Sequence, residues 1–254
     1  MAHVMPRDHK GNYGIDGSFH TISARGQAVT IGVGSVALAA WSAISARRGK
    51  RLAAALTGAS SLGIAASTAL YIYATKAGKF AVWQHILDEF VLQGDETVLD
   101  MGCGRGAVLL AIAKRLPNGR AVGVDLWQAD QTDNSPSATL ANAEVEGVQD
   151  RIELHTADMT ALPFGDNTFD AIVSSLAIHN IAGHDGRRAA LNEAIRVLKP
   201  GGRLAIADLW ETKQHADYLK KHGWQQVERK SVGWRMWFGG PWISTHLVTA
   251  TKPR

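Results

Sequence analysis

The sequence predicts an α/β chain in which a mostly parallel sheet carries helices on both faces and a helical hairpin precedes it. Three observations predict this. A strand, a glycine turn and a helix follow one another from Val98. Four further apolar runs of strand length come after it, and three of them end in or just before an acid. Ahead of all these lie two long runs, 28–46 and 52–75, without a single charged residue. At 254 residues the chain fits one α/β domain with an extension, long enough to bury a substantial core.

The first unit reads Val98-Leu99-Asp100-Met101 as strand and Gly102-Cys103-Gly104-Arg105-Gly106 as turn, with Ala107–Leu116 as helix. Glycine has no Cβ, so such a turn can be sharp and a ligand can lie almost against it. The helix that follows offers free N–H groups and a positive dipole end. A tight turn that holds nothing has the same pattern. Ala121-Val122-Gly123-Val124-Asp125 narrows the choice, because a carboxylate at a second strand end suits two ribose hydroxyls. The remaining parallel strands are Ile152–Thr156, followed by Ala157-Asp158-Met159, then Phe169–Ser175 and Leu198–Asp208.

In chain order, residues 1–27 are polar, and His3, His9 and His20 lack the compact spacing of metal ligands. Asn12-Tyr13-Gly14-Ile15-Asp16 is either part of a disordered tail or a segment folded over the following domain. Each uncharged run is long enough at about 1.5 Å per residue to cross a hydrocarbon core of roughly 30 Å. Trp41, Tyr71 and Tyr73 fall near run ends, where interfacial aromatics sit. Residues 28–78 are therefore expected to form a two-helix membrane hairpin, with lipid contact over 28–76; a buried soluble hairpin is the competing assignment. The basic turn Arg47-Arg48-Gly49-Lys50-Arg51 favours a cytoplasmic tip, but Arg7, Lys10, Arg25, Lys76 and Lys79 balance it at the other end. Supply of a cytoplasmic cofactor then favours both ends in the cytoplasm, or a hairpin entering one leaflet.

Residues 80–93 have apolar positions at helical spacing and should form the helix before the first strand. Residues 128–134 make a loop longer than the connection needs, read as a flap. Ser135-Pro136 caps a helix running to about Glu146. Trp127 either stacks on an adenine or packs in the core. Residues 213–222 read as helix, and 225–231 and 244–251 as strands. Between those strands, Trp234, Trp237, Phe238 and Trp242 crowd one loop, which could line a pocket, touch a membrane or pack on the hairpin.

Together VLDMGCGRG, VGVD, TADMTALPF, FDAIVSSLAIHNI and VLKPGGRLAIAD resemble class I S-adenosylmethionine-dependent methyltransferases of the quinone and small-molecule type, over roughly residues 80–254. The resemblance implies a Rossmann-like seven-stranded sheet over 79–254, its last strand antiparallel, and S-adenosyl-L-methionine as cofactor. It implies that Asp100, Gly102, Gly104 and Gly106 surround the methionine part of the cofactor, with Arg105 able to reach its carboxylate. Asp125 and Leu126 would meet the ribose, Asp158 and Met159 the adenine, and Ser174 would complete the set. Cys103 is a small filler between glycines.

Ligands of open α/β sheets bind at the carboxyl ends of the strands. The acceptor side should therefore hold Ser174, Ser175, His179, Asn180, Asp208 and Trp210, with Trp237 from the aromatic loop. His179 is the general-base candidate, since imidazole titrates near neutrality; a structural histidine is the competing role.

Charge bounds the partners. Residues 1–80 carry nine basic and two acidic side chains, and residues 81–254 carry 18 and 21. A slightly acidic catalytic part disfavours nucleic acid. One cysteine excludes an internal disulfide. The expected activity is methyl transfer to a small lipophilic acceptor, membrane-associated with the catalytic domain cytoplasmic. The alternatives are a protein or peptide side-chain methyltransferase and an inactive cofactor-binding protein.

Overall fold

The computed structural model describes residues 9–17, 24–128 and 131–254; His3, His20, Arg7 and part of the expected flap lie outside them. Seven strands form one sheet: β1 (Thr97–Met101), β2 (Arg120–Asp125), β3 (Ile152–Thr156), β4 (Phe169–Ser175), β5 (Leu198–Asp208), β6 (Gln225–Ser231) and β7 (His246–Thr251). Their order is β3-β2-β1-β4-β5-β7-β6. All pairs from β3 to β5 are parallel, and β7 runs antiparallel to both neighbours. This is the Rossmann-like sheet expected from sequence. The order reverses between β1 and β4, which opens a crevice at their carboxyl ends.

Strand periodicity builds two cores. Val98, Ala171, Val173, Ala205 and Ala207 face one side, packed with residues of α3 (Lys79–Phe90) and α4 (Ala107–Ala113). Leu99, Met101, Ile172, Leu204 and Ile206 face the other, with α6 (Gly183–Val197) and α7 (Thr212–Lys221). Helix α5 (Pro136–Glu146) starts as the sequence predicts: Ser135 Oγ accepts from the Ala138 N–H at 3.2 Å, with proline in the first turn. Helix α6 was not anticipated. Its signal is Ala190, Leu191, Ala194 and Val197 at helical spacing within a polar stretch, and all four are buried.

Helices α1 (Ala24–Arg47) and α2 (Arg51–Tyr73) form the hairpin. Small residues let them approach closely: Ser42 Oγ donates to the Ala54 carbonyl at 2.7 Å and Ser61 Oγ to that of Ser35 at 2.9 Å. No residue of α2 is buried, and Val33, Val36, Leu52, Leu56 and Leu62 are exposed. Among the described residues, one helix is long and apolar enough to cross a membrane. It is Arg51–Phe90, in which α2 runs through a π-helical turn at Ala74–Gly78 straight into α3. The second arm of the hairpin and the first helix of the sheet domain are thus one rod, without a linker at 78–79.

Residues 9–17 lie across the domain as a strap. Tyr13 is buried, and its hydroxyl donates to Glu146 Oε1 at 2.9 Å. Glu146 also accepts from the Lys10 and Gly11 amides and from Lys114 Nζ. Burial raises the Glu146 pKa, but Lys114 and these donors outweigh it and bring it to about 2. Arg105 departs from its expected role. Its Nε donates to the Asn12 carbonyl at 2.8 Å and its Nη1 to that of Thr132 at 2.9 Å, so it clamps the strap. The Asn12–Asp16 cluster is therefore the folded-over segment, not a tail.

Gly78 lets the rod pass the aromatic loop, since a Cβ there would come within 1.8 Å of the Arg235 carbonyl oxygen. Gly78→Ala should cost about 1–3 kcal/mol by overpacking. Gly63→Ala, where a Cβ would meet nothing within 4 Å, should not destabilise. Thermal unfolding of the two variants against the parent checks this.

Candidate functional site

Two adjoining cavities lie at the carboxyl ends of the strands. The larger is about 370 Å³ and is walled by the glycine turn, the strap, the rod and the aromatic loop. The smaller is about 290 Å³ and lies beside β2 and the β3 end. Gly102, Asp125, Ala177 and Asn180 border both, so the two can hold one extended ligand.

The turn between β1 and α4 is pinned by the Gly102 and Cys103 amides, which donate to the Val124 carbonyl at 2.8 and 3.1 Å. Gly102 has φ 77° and Gly104 φ 48°, conformations an L side chain rarely adopts. A Cβ on Gly104 would also lie 2.5 Å from Gln131 Oε1. Both glycines line the larger cavity. Gly106, a predicted cofactor contact, lines neither cavity: it precedes α4 at φ 86° and packs against Thr139 and Leu110. Its role is helix packing.

Asp100, the last residue but one of β1, is fully buried, and neither carboxylate oxygen has a hydrogen-bond partner. Burial, then the negative charge of Asp125, pushes its pKa up to about 8. Such an orphaned acid on a cavity wall fits a ligand bearing an ammonium group. Burial and the same two acids hold the Cys103 thiol well above its usual range, which agrees with a filler. Asp125 Oδ2 accepts the Gly104 amide at 2.8 Å and Oδ1 the Trp127 amide at 2.6 Å. The carboxylate borders both cavities.

Leu126, Asp158 and Met159 border the smaller cavity, as an adenine site requires. One Asp158 oxygen is already engaged by the Thr160 amide and hydroxyl, both at 2.8 Å. Trp127 borders neither cavity; its Nε1 donates to Thr156 Oγ1 at 2.8 Å. Ser174 is a correction: it is fully buried and donates to the Met101 carbonyl at 2.8 Å, tying β4 to β1. Its neighbour Ser175 reaches the cavity and accepts from Trp83 Nε1 at 2.7 Å.

On the acceptor side, His179, Asn180 and Trp210 line the larger cavity. Asp208 does not. It lies fully buried behind His179, with Oδ1 2.6 Å from His179 Nδ1 and Oδ2 accepting the His179 amide at 3.1 Å. Trp210 meets the imidazole edge-on at 5.3 Å between ring centres. Trp237 is a second correction. The wall is formed by the next residue, Phe238, with Ile243, while Trp237 bridges back to Ser244. The loop packs on the hairpin base: Trp234 stacks on Tyr73 at 5.0 Å and Phe238 meets Tyr71 edge-on at 5.9 Å.

Asp16, Tyr71, Lys79 and Gln131 are polar lining residues that were missed as site residues. Lys79 had a signal in sequence, a lone cation heading an otherwise apolar helical face.

Asp100 gives the ligand-free protein a pH signature. Its pKa is higher folded than unfolded, so the fold binds the extra proton and loses stability as pH rises from about 4 to about 8. Asp100→Asn should flatten this slope and melt above the parent at pH 8–9. Thermal melts across this range check it; an unchanged slope would contradict the assignment.

Residues 98–202 match the family model described as "Methyltransferase domain". Ubiquinone/menaquinone biosynthesis C-methyltransferase UbiE of Roseobacter denitrificans is 33% identical over 132 residues, which cover 52% of this chain and 50% of that protein. Demethylmenaquinone methyltransferase of Lactiplantibacillus plantarum is 36% identical over 144 residues, 56% of this chain and 55% of that one. The chain thus spans about half the length of the curated relatives it matches. A SAM-dependent methyltransferase from Aquifex aeolicus superposes with TM-score 0.52 over 66% of this chain and 88% of its own, at 22% identity. The [4+2]-cyclase SpnF superposes with TM-score 0.56 over 68% of this chain and 80% of its own, at 21% identity. These structures share the fold, and a cyclase among them shows that the fold alone does not fix the reaction. The motif order, the sheet topology and the family match over residues 98–202 agree with one another, and the seven-stranded sheet is a Rossmann-like methyltransferase fold.

Proposed function

We propose that the protein transfers a methyl group from S-adenosylmethionine to a small lipophilic acceptor of the phenol or hydroquinone class, at a membrane surface and on its cytoplasmic side. One observation carries this reading. The glycine turn with its orphaned Asp100 opens into the same cavity as the His179–Asp208 pair, and the wall between is apolar, with Phe238, Ile243 and Leu209. The names of the quinone-methylating relatives support the acceptor class.

S-adenosylmethionine supplies a methyl group already activated on a sulfonium, so the chain must align the acceptor, exclude water and manage a proton. The strap and the aromatic loop exclude water. Asp208 Oδ1 accepts a hydrogen bond from the Nδ1–H of His179, an assignment that follows from their 2.6 Å contact. That leaves Nε2 as the basic nitrogen, able to accept the proton of an acceptor hydroxyl as that oxygen or its conjugated ring carbon becomes nucleophilic. Asp208 thus acts through His179 and not on the acceptor. Asn180 and Trp210 border the acceptor's position.

The hairpin supports the membrane part. The strap and α3 both pack on the sheet domain, so the two feet of the hairpin lie on one side of whatever it enters. Helix α2 rises about 34 Å over its 23 residues. At its foot Tyr73 stacks on Trp234, and Trp242, next in sequence to the cavity-lining Ile243, is 75% exposed, as interfacial aromatics are. The cavity mouth would then sit at the level of the headgroups, where a lipophilic acceptor is concentrated.

Labelled donor tested against hydroquinones, phenols, thiols and amines should methylate the first two. His179→Ala should lower kcat about a hundredfold or more while cofactor affinity holds. Turnover of thiols or amines alone, or an unaffected variant, would contradict the base. Separately, the full-length protein should sediment with membranes, resist release by high salt and come off in detergent. Recovery in the soluble fraction without detergent would remove the membrane reading.

A further inference from the structure

Lys79 is left without a role by the chemistry above. It is 3% exposed and is the one lysine or arginine among the described residues lining the larger cavity. Its Nζ donates to both oxygens of Asp16 in the strap, at 2.7 and 2.9 Å. The same carboxylate accepts from Thr75 Oγ1 at 2.8 Å and from Gln131 Nε2 at 3.0 Å. An ammonium and a hydroxyl from the rod and an amide from the loop after β2 thus converge on one carboxylate. This is a carboxylate cradle, and it opens on the cavity.

Asp100 borders the same cavity with its own carboxylate unpartnered. A cationic cradle and an orphaned anion on one cavity complement the two charged ends of an α-amino acid. We propose that Lys79, with Thr75 and Gln131, holds the carboxylate of the amino-acid end of S-adenosylmethionine, while Asp100 receives its ammonium; Asp16 fills the cradle in the absence of ligand. This inference rests on the methyltransferase reading above.

The exchange does not require the strap to leave. Tyr13 stays on Glu146 and the Asn12 amide on Asn142 Oδ1 at 2.8 Å, so only the Asp16 side chain gives up its place. Two carboxylates competing for one buried ammonium make Asp16 an internal competitor of the cofactor. The rod extends the consequence: Lys79 follows the π-helical turn directly, so the cradle stands on the helix that also forms the hairpin.

Calorimetric titration of the full-length protein with S-adenosylmethionine and with its decarboxylated form tests the proposal. The second ligand keeps adenine, ribose, sulfonium and ammonium and lacks only the carboxylate. The parent should prefer S-adenosylmethionine. Lys79→Met should weaken its binding about tenfold or more, the scale for a charged hydrogen bond, and leave the decarboxylated ligand unaffected. Asp16→Asn, which keeps the size of the side chain, should tighten S-adenosylmethionine severalfold and not the decarboxylated form. It carries the test alone if Lys79→Met fails to fold. Equal affinity of the parent for both ligands, or equal loss of both in Lys79→Met, would overturn the proposal. Binding of neither ligand to the parent would overturn the methyltransferase reading itself.

Discussion

The approach of the first glycine turn to the loop after β4 is the constraint on which the site depends. A Cβ on Gly102 would lie 2.1 Å from the Cβ of Ala177. No larger residue fits there unless the turn or that loop shifts. That contact closes the floor of the crevice where strand order reverses and leaves the larger cavity beside it. Asp100 stands beside it on the cavity wall, itself buried. The acid has neither solvent nor partner there, which is unfavourable by itself. The surrounding sheet, with Leu99 and Met101 fully buried on its other face, holds it there. The fold accepts a local loss of stability at the point where a ligand charge is needed.

The rest of the cavity is assembled from segments distant in sequence. The strap brings Asp16, the rod brings Tyr71 and Lys79, and the last hairpin of the sheet brings Phe238 and Ile243. The hairpin is therefore part of the cavity wall and not a separate appendage. Its second helix becomes α3, packs Trp83 and Leu87 into the core, and turns Tyr71 and Lys79 toward the cavity. The π-helical turn at Ala74–Gly78 lies where that helix passes from the hairpin to the domain, and such turns occur often at functional sites.

The sheet and its glycine turn were legible in sequence because strand ends, glycines and acids are local features with local causes. Asp100, Gly102 and Gly104 reach the cavity because they belong to that turn and the strand end before it, and Asp125 because it ends the next strand. Ser174 and Trp237 went wrong by one residue each, for one reason. Where a strand ends or a loop turns back, alternate side chains point to opposite faces, and sequence does not say which one faces the cavity. Lys79 and Asp16 stand 63 positions apart, and nothing local in either predicts their pairing. Asp208 was read as facing the acceptor, since sequence does not reveal that His179 covers it.

The account's central claim is that cofactor and acceptor share one cavity whose walls include the glycine turn and the foot of the hairpin. Hydrogen–deuterium exchange on the full-length protein tests this most directly. Adding S-adenosylmethionine should slow exchange at residues 100–106 and 125–128 and also at 71–79 on the rod. Protection confined to the sheet domain, with 71–79 unchanged, would contradict a site built jointly with the hairpin, and protection away from the glycine turn would contradict the site altogether.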